Sequence, residues 1–123
     1  MGYTNYSEAT VAFTDKEWNL MVSSVDHLMA LPSVQKLQLD WFIDDDCVGF
    51  NADGIETAVV YRYDTEWQFC KTNRRPPDKV VKALFTLHKK ILNGTVKVSC
   101  DGPMSEYGNW HNATATRILK KLK

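Results

Sequence analysis

Apolar residues at Trp18, Met21, Val22, Val25, Leu28 and Met29 recur with the 3.6-residue period of one helical face. Thr14 stands before this run and Glu17 three positions after it, the spacing of a capping box, with Phe13 and Trp18 at the staple positions around the cap. Pro32 forbids continuation, so a helix is predicted over about residues 15–30. Upstream, Ala9-Thr10-Val11-Ala12-Phe13 reads as a short strand; downstream, 34–43 mixes helical spacing with alternation and reads as a turn of helix followed by a strand. Cys47-Val48-Gly49-Phe50 and 57–63 flank Asn51-Ala52-Asp53-Gly54, whose Asp-Gly pair supplies the positive φ a hairpin connection needs. After a turn at Asp64-Thr65-Glu66, Trp67-Gln68-Phe69-Cys70 is predicted to extend that hairpin into a meander.

The second long period is broader. Val80, Leu84, Leu87 and Ile91 share a helical face, with Val81, Phe85 and Leu92 beside them, starting after Pro76-Pro77 and ending at Asn93-Gly94. So wide an apolar surface marks this helix as the central packing element, with Lys82 expected to snorkel or face solvent. Thr95-Val96-Lys97-Val98-Ser99 alternates as a half-buried strand, and Asp101-Gly102-Pro103 breaks the chain before a final helix over about 105–122. The expected class is α+β: an antiparallel meander sheet of about four to five strands packed against two to three helices.

Composition narrows this without changing it. At 123 residues, with 44% hydrophobic and 24% charged positions, the chain is expected to form one domain, residues 1–123, with its own core. Fifteen basic side chains balance fifteen acidic ones, so no global field draws in nucleic acid or an anionic membrane. The three cysteines, Cys47, Cys70 and Cys100, are widely spaced in strand-like runs and read as free thiols. With neither a signal segment nor a long apolar span in the sequence, the expected location is the cytoplasm.

Candidate chemistry concentrates at one junction. Lys71, Arg74 and Arg75 crowd the turn before the second helix, where unpaired N–H groups and the helix dipole already favour an anion. Thr72 and Asn73 add neutral donors, and Lys79 and Asp101 are expected nearby. A phosphate or an acidic partner surface fits that set; so does a solvated loop balancing Asp78 and Asp44-Asp45-Asp46. Among four tryptophans, Trp110 is the one least explained by packing, next to His111. The acidic loop fails the EF-hand pattern at two anchors, Gly49 and Val60, so no metal or other cofactor is expected. Neither Ser99 nor Cys100 lies in a glycine elbow, and catalysis through Cys100 would need a histidine such as His111 to meet it in space.

Phe69-Cys70-Lys71-Thr72, Arg75, a proline and Asp78, followed by Val98-Ser99-Cys100-Asp101-Gly102 and Trp110, resemble a group of small uncharacterised proteins of tailed phages and prophages. These carry an FCKT segment before a helix and a VS-x-DG segment after it; Pro77 and Cys100 depart from that pattern, which puts hydroxyl-dependent chemistry there in doubt. The resemblance covers about 47–110 and implies phage origin and the host cytoplasm. The expected function is a non-enzymatic accessory protein that binds a host or viral macromolecule, protein in preference to nucleic acid, through Lys71, Thr72, Arg74, Arg75, Lys79, Asp101 and Trp110. An inhibitor of host defence such as an anti-CRISPR protein is one form. The alternatives are a phosphate- or nucleotide-binding domain with its ligand at the start of the second helix, and a cysteine-dependent enzyme.

Overall fold

The structure, a computed structural model, describes residues 2–63, 65, 67–108 and 110–122. The predicted turn at Asp64-Thr65-Glu66 therefore falls largely outside the described residues. The order is β1 (Thr4–Ala9), α1 (Asp15–Ala30), α2 (Pro32–Gln35), β2 (Asp40–Ile43), β3 (Cys47–Asn51), β4 (Ala58–Tyr61), β5 (Trp67–Lys71), α3 (Asp78–Ile91), β6 (Val96–Cys100), a 3-10 turn (Met104–Tyr107) and α4 (Trp110–Leu122). The class is α+β with antiparallel sheets.

Helix α1 begins as its sequence dictates. Thr14 accepts a hydrogen bond from the Glu17 N–H, Glu17 reaches back to the Thr14 N–H, and the Phe13 and Trp18 rings meet edge-on at 5.1 Å. Helix α3 is buried on every side from Val80 to His88 and touches α1, α4, β1, β4 and β6. It ends as Asn93 and Gly94 turn into the left-handed region.

The six strands divide between two three-stranded sheets, in the order β2-β3-β4 and β5-β1-β6. The first is the predicted hairpin with β2 added. The second corrects two expectations. β5 leaves the hairpin and pairs with β1, Tyr6 opposite Phe69, and β1 is residues 4–9, with only Ala9 shared with the predicted strand. β6 closes the sheet on the other side, Tyr6 opposite Ser99.

The physical reason lies in what β1 points inward. Asn5, Ser7 and Ala9 face the core while Tyr6 and Glu8 face out, so two polar side chains take inward positions that alternation would give to apolar ones. The inward asparagine completes a buried polar cluster, donating to Asp78 and accepting from Tyr107.

Candidate functional site

That cluster sits under the junction singled out in the sequence. Asp78, in the first turn of α3, accepts hydrogen bonds from Asn5 Nδ2 at 2.7 Å and from the Thr72 hydroxyl, and pairs with Lys82 Nζ at 2.5 Å one turn on. Tyr107 donates to Asn5 Oδ1 at 3.2 Å. Lys82 neither snorkels out nor faces solvent, the two outcomes expected: it is 2% exposed, its ammonium 4.5 Å from the Tyr3 ring centre and 5.4 Å from that of Tyr107. An aliphatic stem among core residues and an ammonium held by a carboxylate and two π faces explain why a lysine tolerates this depth.

The turn above it is equally determined. Asn73 and Arg74 adopt φ of +53° and +59°, and the Arg75 N–H closes the turn onto the Thr72 carbonyl at 3.0 Å. A left-handed arginine is unfavourable by about 1 kcal/mol and persists where its surroundings over-determine it. Here the guanidinium lies 4.1 Å from the Tyr3 ring centre and donates to Glu106 at 2.7 Å, while the Tyr3 hydroxyl donates to the same carboxylate. Arg74 and Lys82 thus both lie against the Tyr3 ring. Burial, and then hydrogen bonding to Cys100 and Glu106, raise its phenol well above the ordinary range. Burial does the same to Tyr107, and it pushes the Cys70 thiol up to about 12. The Tyr3 hydroxyl and then Arg74 hold Glu106 below the usual carboxylate range.

The predicted site residues consequently do different work. Thr72 is fully buried, and Arg74 spends one guanidinium nitrogen on Glu106 while its side chain stays 58% exposed. Arg75 is exposed and runs alongside Gly54 of the β3–β4 loop. Lys79 sits over the half-buried Trp110 ring at 5.0 Å. Asp101 accepts from the Thr4 N–H at 2.9 Å and from the Tyr6 hydroxyl at 2.8 Å, fastening the end of the β5-β1-β6 sheet. Lys71 is exposed on the outer face of β5, in line with Phe69. His111 meets the Glu106 carbonyl, and Cys100 lies near the Gly102 and Pro103 carbonyls; among the described residues no hydrogen bond joins Cys100 to His111. The three cysteines are free thiols.

What the sequence reasoning missed is the outer face on which Lys71 stands. Trp67 and Phe69 are 56% and 57% exposed there, and Trp67 stacks on Tyr6 with ring centres 5.2 Å apart and planes 11° from parallel. Phe69 lies 6.3 Å from Trp67. The helices pack against the opposite face, so these rings form an aromatic patch open to solvent, rimmed by Glu8, Lys71, Lys97 and Asp101. The signal was present in the parity: Trp67 and Phe69 share their side of the strand with Lys71, not with buried Cys70. Four clefts among the described residues have linings that include neither Lys82 nor Asp78; the lysine end of the polar cluster is buried while the aromatic face is open. No helix among the described residues is long and apolar enough to cross a membrane, and they contain no group of three metal-ligating side chains. No protein-family model, curated protein or solved structure matches the chain.

Proposed function

We propose that this chain is a non-catalytic binding protein that presents the outer face of the β5-β1-β6 sheet to a protein partner. The observation carrying the reading is the open aromatic patch, Tyr6, Trp67 and Phe69, with two rings more than half exposed. Cross-strand aromatic stacking by itself stabilises a sheet, by about 0.2–1 kcal/mol per pair. It does not require large rings to stay this accessible, whereas protein interfaces are enriched in them at their centres.

The rim argues for protein over nucleic acid. Lys71 and Lys97 are interleaved with Glu8 and Asp101, an alternation that suits a polar interface rim and opposes a phosphate backbone. The burial of Lys82 against Asp78, and the separate engagements of Cys100 and His111, favour binding over catalysis. The resemblance of the 69–78 and 98–102 segments to small phage proteins supports a host or viral protein as the partner, met in the host cytoplasm, with inhibition of a host defence as one form of the activity.

The test is capture from nuclease-treated host lysate, followed by direct binding measurements on the protein retained. Truncating both rings in Trp67→Ala/Phe69→Ala is expected to weaken binding about 30-fold, the equivalent of about 2 kcal/mol, without unfolding the chain. Arg74→Ala, which touches a turn and not the face, should change affinity little. A partner held equally well by the double variant, or no partner at all, would overturn the proposal.

A further inference from the structure

We propose that the open edge of β6 takes up an acidic, extended peptide segment of a protein partner as a fourth strand of the β5-β1-β6 sheet. This rests on reading that sheet as a protein-binding element and adds the mode of contact and the chemistry of the partner.

The two edges of the sheet are treated differently. On the β5 side, the Glu56 N–H donates to the Lys71 carbonyl at 2.9 Å, the Lys71 N–H donates to Glu56 Oε1 at 2.8 Å, and the Cys70 thiol meets the Glu56 carbonyl at 3.2 Å. Those contacts cover the β5 edge at its Lys71 end. On the β6 side, no strand among the described residues pairs beyond it.

The register shows which groups the open edge offers. Asp101 N–H donates to Thr4, and Thr10 N–H donates to Thr95, so the hydrogen-bonded pairs toward β1 fall on Ser99 and Lys97 between them. The N–H and C=O of Val96 and Val98 therefore point away from β1. Unpaired edge groups of this kind template an added strand unless something blunts them.

A cleft lies on each face of the sheet beside this edge. The inner one, about 360 Å³, runs between Val98, Thr86 of α3, Met104 and Tyr107. The outer one, about 540 Å³, runs from Trp67 and Glu8 past Lys97 to Met104. An added strand sends alternate side chains to opposite faces, so a cleft on both sides is the space such a strand needs. Met104, 52% exposed between them, offers an adaptable apolar contact.

Charge selects the occupant. Lys89 lines both clefts, Lys90 the inner and Lys97 the outer, against the single carboxylate of Glu8. An acidic segment complements that set; a second copy of this chain would bring the same lysines to the shared edge and be repelled.

The probes are two octapeptides, alternating valine with glutamate or valine with lysine, titrated into the full 15N-labelled chain. The glutamate peptide is expected to slow exchange of the Val96 and Val98 amides at least tenfold, and the lysine peptide to leave them unchanged. Val98→Pro, which removes an edge donor without touching the β1 pairing, and the charge reversal Lys89→Glu/Lys97→Glu should each abolish that protection. Untouched β6 amides, or equal binding of both peptides, would overturn the proposal. Shifts confined to Tyr6, Trp67 and Phe69 would overturn strand addition and leave the aromatic face standing. Concentration-dependent dimerisation lost in Val98→Pro would assign the edge to a second copy, and so would also overturn it.

Discussion

Replacing Lys82 by methionine tests whether the buried cluster is a structural element or a working site. The ammonium is 2.5 Å from Asp78 Oδ2, with side-chain exposures of 2% and 17% for the two partners. Removing one member of a buried pair ordinarily destabilises by about 3–5 kcal/mol, because the other charge is left uncompensated. Asp78 keeps its hydrogen bonds from Asn5 and Thr72 and is partly open to water, and methionine refills the volume around Tyr3 and Tyr107. The expected loss is therefore at the lower end, about 3 kcal/mol, or roughly 10 °C in Tm for a chain of this size. Urea unfolding followed by tryptophan fluorescence measures it by linear extrapolation. The double variant Lys82→Met/Asp78→Asn removes both charges and should be less destabilised than the sum of the singles by about 2 kcal/mol. Strict additivity, or a loss below about 1 kcal/mol for the single variant, would refute the account of a desolvated, coupled pair. Partner binding by the folded fraction should be unchanged, since no cleft described is lined by Lys82.

Two further expectations concern the same core. His88, stacked on Phe13 at 4.8 Å, has its pKa pushed by burial from its ordinary 6.5 down to about 4. Below pH 6.5 the unfolded chain binds the proton and the folded chain does not. This contribution is therefore complete above pH 6.5 and is lost as pH falls through about 4, at most about 3 kcal/mol. Comparing wild type with His88→Phe between pH 5 and 7 isolates it, and parallel profiles would contradict it. Gly49 lies where β3 and β4 approach closely: a Cβ there would stand 2.0 Å from the Ala58 carbonyl oxygen and 2.8 Å from Phe42 Cζ. Gly49→Ala should destabilise by about 2–3 kcal/mol in the same urea assay, since backbone and not a flexible side-chain end must give way; a neutral result would mean the two strands can part without loss.

The elements legible in the sequence are those whose local chemistry agrees with their packing. Thr14 and Glu17 announce α1, the apolar breadth from Val80 to Leu92 announces α3, and Gly54, at φ +78°, lies in the loop joining β3 to β4. β1 was illegible because its inward residues are Asn5 and Ser7, polar groups that make sense only once Asp78 and Tyr107 are placed against them. With β1 hidden, β5 had no visible partner except the hairpin before it, so the division into two sheets could not be read. Lys82 was misplaced for a related reason: helical spacing locates a lysine on a face, and the carboxylate and rings that receive it come from elsewhere in the chain. At the junction itself the sequence located the turn and its arginines correctly, but it could not reveal that Tyr3 and Glu106 occupy Arg74.

The central place of β1 also sets an order of events during synthesis. The β3–β4 hairpin joins residues eight to fourteen apart and can close as soon as it emerges. β1 cannot: Asn5 meets Cys70 on one side and Cys100 on the other, so the first strand made is held in waiting until nearly the last has left the ribosome. Until β5 emerges Tyr6 and Trp67 lack their mutual stacking, and until β6 emerges one β1 edge lies bare, a state open to capture by chaperones or by other nascent chains. The aromatic face appears only once β1 has found β5 across 59 to 67 residues, so a chain that displays it has already closed a long-range pairing, with β6 still to be added on the other side.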